Sequence, residues 1–430
     1  MRTTKERRAF LKETAAAATL ALSGPAFAKA SANEQVRIAV IGVRGRGRGL
    51  ATGFAGLKES VVTHICDVDR SQIAAAVKGV AERQKTEPKA ETDLRRLIDD
   101  KSIDAVAIAT PDHWHAPATI WACQAGKHVY VEKPASHNVW EGRKMVEAAR
   151  KHDRVVQLGT QSRSAPGYLE MIETLRAGKI GKVHMAKAWN SQLRRDIGRK
   201  ADSGVPDGVD YDLWLGPAPA RPFNVNRFHS TWHWNWDYGT GDMGNDGVHD
   251  LDIARWGLGA RSPSVVAGMG TKLFFQDDQE IPDTQIITFT FPETKQVLVF
   301  EQRIWSPYVQ EGNENGVAFY GTEGYIIAGR AGWRLIMRDN KEEKVPTRKF
   351  SDVPHFVNFL ECVKSSGKRP NADIEEGHLS STLAHLGNIV ARTGRQLTWD
   401  GATETIRGDT EAGALLRRSY RKPFELSGAV

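Results

Sequence analysis

The sequence predicts an α/β fold that opens with a parallel sheet covered by helices on both faces. Apolar, β-branched runs of buried-strand length recur from residue 36 to residue 159, and helical stretches separate them. In the second half, strand-like runs follow one another with no helix between several of them, which marks a second domain of different architecture. At 430 residues the chain is long enough for two domains, each with its own core.

In chain order, VRIAVIG (36–42), VVTHIC (61–66), IDAVAIAT (103–110), HVYVE (128–132) and RVVQLG (154–159) are the first strands. RSQIAAAVKGVAERQ (70–84) and NVWEGRKMVEAARKH (138–152) are helices among them. Later strands are SVVAGMGTKLFF (264–275), TQIITFTF (284–291), QVLVFEQRIW (296–305) and GVAFYG (316–321). Helical pattern returns in HFVNFLECVKSS (355–366) and EEGHLSSTLAHLGNIVART (375–393). A parallel sheet of the first kind takes its ligand at the carboxyl ends of its strands.

The first strand ends in GVRGRGRG, Gly42 to Gly49. A tight strand-to-helix turn needs glycine where φ is positive and where backbone approaches a pyrophosphate. Gly42 and Gly47 take the first and third places of G-x-G-x-x-G; Arg44 takes the second, with Gly45 one step later, so the pattern is imperfect. Asp67 closes the second strand, where a carboxylate either accepts the ribose hydroxyls of an adenosine or caps the next helix. Such a carboxylate repels a 2′-phosphate, so NAD is expected ahead of NADP, although Arg70 nearby softens the preference.

IATPDHWHAPATIWACQAGKHVYVEKP (108–134) puts Thr110-Pro111 at the end of the third strand and Glu132-Lys133-Pro134 at the end of the fourth. With the glycine turn, Asp67 and a later histidine-bearing helix at GNDGVHDLD (244–252), the chain resembles the Gfo/Idh/MocA family of sugar and cyclitol oxidoreductases. The resemblance implies an N-terminal Rossmann domain, a doubly wound parallel sheet binding NAD, here residues 35–158. It implies a C-terminal α/β domain with a large, mostly antiparallel sheet, here residues 159–430, which binds the sugar and builds a homo-oligomer. The cofactor set taken with it is Gly42, Arg44, Gly45, Gly47, Asp67, Thr110, Pro111, His113, His115, Glu132 and Gln161.

Oxidising a secondary alcohol with NAD requires a base for the hydroxyl proton as a hydride leaves carbon. In the family, the lysine of E-K-P points at the substrate hydroxyl; here it is Lys133. An Asp and a His four residues apart complete the family set on one helix face. His249 holds the His place and Asn245 the Asp place, a departure: Asn can hold a sugar hydroxyl but cannot take its proton. Proton transfer then falls to His249 and Lys133. Asp246 is expected to point about 100° round the helix from Asn245, and it is kept as a substrate contact. Asp252 either orients the imidazole or is a plain helix-surface carboxylate. The bland alternatives are a snorkelling strand-end lysine and a hydrogen-bonded core histidine.

Ahead of that helix, Trp232, Trp234 and Trp236 alternate, so an extended segment would carry all three on one face. They stack on sugar C–H groups or fill the domain junction. Arg227, His229, His233, Asp237 and Tyr238 are further candidates for hydroxyl contacts. His378 and His385 belong to a core or to a pocket edge. The H-x-H of His113 and His115 has no partner at zinc-ligand spacing, so no metal is expected.

The formal net charge is +7; Arg2, Lys5, Arg7, Arg8 and Lys12 against Glu6 and Glu13 put +3 in residues 1–28 and leave +4 beyond, too little to argue for nucleic acid. No segment approaches the roughly 20 apolar residues of a membrane span. A basic stretch, an Ala-rich run and Ala26-Phe27-Ala28 read as an export signal over 1–28, the alternative being an amphipathic cytosolic helix. Arg7-Arg8 resembles the twin-arginine motif, with Glu6 in the usual Ser or Thr place, so the twin-arginine export machinery is an expected partner. The periplasm or the exterior is the expected location. Cys66, Cys123 and Cys362 make no disulfide framework and read as small buried residues. Free NAD is scarce outside the cytoplasm, so the cofactor is expected to be loaded before export and recycled in the site. Three functions stay open: NAD-dependent oxidation or reduction of a sugar, NAD-dependent glycoside hydrolysis by transient oxidation and elimination, and carbohydrate binding without catalysis. Lys133 and His249 count against the last.

Overall fold

Short apolar runs with β-branched residues become strands buried on both faces. The structure, a computed structural model, describes residues 35–346 and 349–426; the export signal expected over 1–28 lies outside the described residues. β1 (Val36–Ile41), β2 (Ser60–Cys66), β3 (Lys89–Glu91), β4 (Ala105–Ile108), β5 (His128–Val131) and β6 (Val156–Leu158) form a parallel sheet in the order β3-β2-β1-β4-β5-β6. Between them run α1 (Arg46–Ala55), α2 (Arg70–Gln84), α3 (Leu94–Asp99), α4 (Asp112–Gln124) and α5 (Val139–Lys151). Side chains of Asp69 and Asn138 cap α2 and α5 by accepting from backbone N–H groups of the first turn. The strand order reverses between β1 and β4, and a crevice opens there at the carboxyl ends. β3 was not foreseen, because Lys-Ala-Glu at a sheet edge carries no apolar signal.

Ten further strands make the second sheet: β7 (Val183–Asn190), β8 (Val265–Thr271), β9 (Thr284–Phe291), β10 (Gln296–Arg303), β11 (Asn315–Gly321), β12 (Gly324–Gly329), β13 (Gly332–Met337), β14 (Glu342–Glu343), β15 (Leu397–Asp400) and β16 (Thr405–Arg407). Their order is β14-β13-β12-β11-β7-β10-β9-β8-β15-β16, and among the described residues of this sheet only β7 and β10 pair in parallel. Alternation sets the faces: in β9, Ile287, Phe289 and Phe291 enter the core while Ile286 faces out. The associated helices are α6 (Pro166–Arg176), α7 (Tyr211–Leu215), α8 (Val248–Leu258), α9 (Val353–Lys364), α10 (Ile374–Thr393) and α11 (Thr410–Ala414). α10 is buried nearly all round because it packs on α5, α8 and β8 together.

The late part of the chain returns to complete the first core. Phe356, Phe359 and Leu360 of α9 join Phe54 and Tyr130 on one face of the parallel sheet, and Ala372, Ile374, Phe424 and Leu426 join the other. Cys66, Cys123 and Cys362 are free and buried. Among the described residues no helix is long and apolar enough to cross a membrane.

Candidate active site

A cavity of about 590 Å³ opens at the carboxyl ends of the parallel strands and is closed by the second sheet and α8. Lys133 and His249 both line it, although they come from different domains. Its first wall is the glycine turn. Gly42 has φ +79°, and a Cβ there would stand 2.8 Å from the Ala109 carbonyl oxygen. Gly47 lies beneath the wall, where a Cβ would fall 1.7 Å from the Gly42 carbonyl oxygen; only glycine lets α1 start this close to β1. Arg44, Gly45 and Arg46 reach the cavity at the N-terminus of α1, a favourable place for an anion.

Asp67 also lines the wall, and its carboxylate accepts from Val43 N (2.8 Å) and Asp69 N (3.0 Å). Burial raises its pKa. Each carboxylate oxygen keeps acceptor capacity for a ribose hydroxyl. Glu132 is held below the usual carboxylate range: burial pushes it up, but Arg46 and then Lys133 outweigh burial. Arg46 Nε donates to Glu132 at 2.7 Å, and the same guanidinium pairs with Asp352. Gln161 donates to the Tyr130 hydroxyl (3.2 Å) and to Glu132 (3.4 Å). Thr110 Oγ1 and Arg46 Nη2 are buried without a hydrogen-bond partner among the described residues, and both residues line the cavity. Glycine cradle, helix N-terminus, ribose carboxylate and these two open groups together fit a dinucleotide.

The end of the cavity that holds Lys133 and His249 is built on an irregular helix start. Met243–Gly247 forms a single π-turn ahead of α8. The wider turn brings Asn245, Asp246 and His249 all to the cavity, so Asp246 is not rotated away as ideal α-geometry had it. Lys133 Nζ donates to Asn245 Oδ1 at 2.7 Å, and Asn245 Nδ2 donates to Asp242 Oδ1 at 3.0 Å. Arg194 pairs with both Asp242 and Asp246. Burial raises Asp242; Asp246 is lowered because Lys133, Arg194 and His249 outweigh burial. Burial, then Lys133, pushes His249 down to about 4, so its imidazole is neutral near pH 7.

Residues 36–160 match the family model described as an oxidoreductase family, NAD-binding Rossmann fold, and residues 188–426 match its C-terminal alpha/beta domain. The chain belongs to the Gfo/Idh/MocA oxidoreductase family. It is 27% identical over 279 residues to the uncharacterized oxidoreductase YrbE of Bacillus subtilis, covering 64% of this chain and 68% of that one. It is 31% identical over 209 residues to glycosyl hydrolase family 109 protein 2 of Shewanella sp. strain ANA-3, covering 45% of this chain and 46% of the relative. The chain thus spans about half of that relative. Among solved structures, levoglucosan dehydrogenase in complex with NADH and levoglucosan superposes with a TM-score of 0.66 at 18% identity, covering 85% of this chain and 99% of that one.

Several residues assigned from sequence to this Gfo/Idh/MocA site lie elsewhere. His113 is buried behind the wall, its ring nitrogens facing the carbonyls of Trp214 (2.9 Å) and Tyr238 (3.4 Å), and burial, then Arg418, pushes it down to about 3. His115 reaches the cavity wall, wedged between the Thr110 and Pro134 carbonyls, where it braces the lysine loop. The tryptophans diverge because Thr231–Trp234 is a 3₁₀ turn, not an extended strand. Trp232 lines the cavity, Trp234 packs with Phe275 and Ile304, and Trp236 lies under the Arg392 guanidinium. Tyr238 is fully buried against Trp214. Arg227 serves Asp202 and the Pro222 carbonyl in a separate polar pocket. Asp252 does not orient His249; it pairs with Arg163 at 2.8 Å and accepts from Ser380. His378 and His385 are core residues, the first paired with Glu404. Arg46, Tyr168, Asp250, Asn315 and Arg330 line the cavity unforeseen; only Arg46, inside the glycine turn, carried a local signal.

Proposed function

We propose that the protein is an NAD-dependent sugar oxidoreductase acting on a secondary hydroxyl or its carbonyl, with a cofactor that stays bound and is recycled in place. The observation that carries this is the convergence of Lys133, Asn245 and His249 in the cavity that holds the glycine turn and Asp67. NAD bound there supplies the hydride acceptor. Gly42, Gly45 and the N-terminus of α1 would hold its pyrophosphate, Asp67 its adenosine ribose, and Thr110 and Glu132 the side facing the substrate. Asp242 fixes the Asn245 amide so that Oδ1 faces Lys133, which fixes the ammonium in turn. Lys133 donates to the reacting oxygen, and neutral His249, whose imidazole makes no hydrogen bond among the described residues, takes its proton. Trp232 gives the sugar an apolar face.

Residues 1–28 would export the loaded enzyme to the periplasm or beyond, where the scarcity of free NAD favours retention, and the ten-stranded domain would assemble a homo-oligomer. The partial likeness to family 109 glycosyl hydrolases favours a second reading, glycoside cleavage through transient oxidation and elimination, with Asp246 as the additional base. Mass spectrometry of the nucleotide that copurifies, followed by a sugar panel that watches its redox state, separates the readings. Reduced nicotinamide on adding a sugar supports the oxidoreductase. Release of nitrophenol from a nitrophenyl glycoside without net NADH supports the hydrolase. Bound NAD that answers neither leaves a carbohydrate-binding protein and ends both.

A further inference from the structure

One wall of the cavity is polar, open, and unused by the proton-transfer residues. Three separate elements build it: Asp250 on α8, Asn315 at the start of β11, and Arg330 in the turn between β12 and β13. The sheet register explains why they meet. β11 and β12 pair antiparallel with Val317 opposite Ala328, and two more residues along that register bring Asn315 opposite Arg330. Asn315, Val317 and Phe319 share a face, and a Cβ on Gly257 of α8 would stand 2.3 Å from the Phe319 ring. α8 therefore lies along that face, with Asp250 in its first turn at the cavity end.

Each of the three has bonding capacity that the protein leaves unfilled. Asp250 Oδ2 and Asn315 Oδ1 are buried without a partner among the described residues. The Arg330 guanidinium makes no hydrogen bond or ion pair among the described residues, yet its charge acts on Asp246, His249 and Asp250. Neither carboxyl pairs with it. Asp246 is committed to Arg194, and burial, then Asp246, raises the Asp250 carboxyl well above the usual range. Tyr168 closes the same end. A guanidinium without an ion pair among the described residues, beside a carboxyl oxygen and an amide oxygen that are also left open, is a receptor for an oxyanion flanked by hydroxyls.

We propose that the substrate is a sugar bearing an oxyanion, a carboxylate or a phosphate, gripped by Arg330 while Asp250 and Asn315 hold neighbouring hydroxyls. The proposal rests on the sugar reading of the site given above. Its test is isothermal titration of the full-length, NAD-loaded protein with matched sets: glucose, glucuronate and glucose 6-phosphate, then galactose, galacturonate and galactose 6-phosphate. At least one anionic sugar should bind ~10-fold or more tightly than its neutral parent, as expected of a charge-assisted contact. The carboxylate and phosphate arms tell which oxyanion the wall takes. Arg330→Gln should shrink that preference to within about 3-fold, and Arg330→Lys, which keeps the charge without the fork, should retain part of it. Position 330 is exposed on a turn, so both variants should unfold at the wild-type temperature. Equal affinity within each set, no binding by any anionic sugar, or a preference that survives Arg330→Gln overturns the proposal. Cofactor absorbance read in the same samples keeps it apart from the oxidoreductase reading. Reduction by sugars without anionic preference sinks only the Arg330 subsite; anion-selective binding with a silent cofactor sinks only the redox chemistry.

Discussion

In the function proposed above, Asn245 redistributes work within the site: an aspartate there would share the proton transfer, whereas the amide links Asp242 to Lys133 by hydrogen bonds. Lys133→Ala and His249→Ala should therefore each retain NAD and lose turnover by ~10²-fold or more, the usual share of general acid–base groups, as measured by kcat on the responding sugar. On the same proposal His249 also sets the pH profile. Its pKa is pushed down to about 4, so the base stays neutral from high pH down to that region. The acid limb of kcat/KM should fall near pH 4 and not near the ordinary imidazole value of about 6.5. A limb near 6.5 that vanishes in His249→Ala would show an imidazole far better solvated than this one. Lys133 and His249 were legible in sequence because short motifs carry them. Asp250, Asn315 and Arg330 were not, since three commonplace residues far apart in the chain acquire meaning only through sheet register.

Among the elements, continuous apolar strands were readable, and helices with caps at Asp69 and Asn138 followed nearly to the residue. Less so were β12 to β16, short strands bounded by glycine and turns, whose burial depends on partners far along the chain. The Trp-rich segment misled most. Its alternation suggests a strand, but Thr231 Oγ1 donates back to the Val225 and Phe228 carbonyls and folds the run into a 3₁₀ turn. That fold has a use. It carries His229 and Ser230 across the cavity, where His229 Nε2 donates to Asp69 at 2.6 Å and Arg44 Nη1 donates to Ser230 Oγ. Both anchors flank the glycine turn and Asp67, so the segment clasps the dinucleotide end of the cavity. Removing the imidazole with His229→Ala should speed NAD loss by on the order of 10-fold, as expected for one charge-assisted contact in a closing segment. Gel filtration followed by nucleotide quantitation reads this directly, and wild-type retention would leave the clasp without a role in holding the cofactor.

Over the whole molecule, folding traps histidines in neutral form. His113 and His385 are driven by burial to about 3, and His355 to about 4, while His137 lies well below its usual value for the same reason. Unfolded, each titrates near 6.5, so between pH 6.5 and 4 the unfolded chain binds more protons than the native one. Their contribution is complete above pH 6.5 and is lost as pH falls toward the native values. His113, His355 and His385 each cost on the order of 2 kcal/mol on going from pH 7 to pH 5, and His137 acts in the same direction. Asp112, raised by burial to about 7, and Asp250, raised well above its usual value, act in the opposite sense, because they hold protons in the native state that the unfolded chain releases. Asp67 and Asp242 are raised as well, but His64, His115, His128, His233 and His249 are also lowered, so nine histidines against four carboxyls leave a net loss on acidification. Tm should therefore fall by several degrees between about pH 7.5 and pH 5, and unfolding at pH 5.5 should take up protons, measurable as buffer-dependent calorimetric enthalpy. A Tm that holds or rises over that interval would mean that the raised aspartates outweigh the histidines, and that the native interior is charged differently from the arrangement described above.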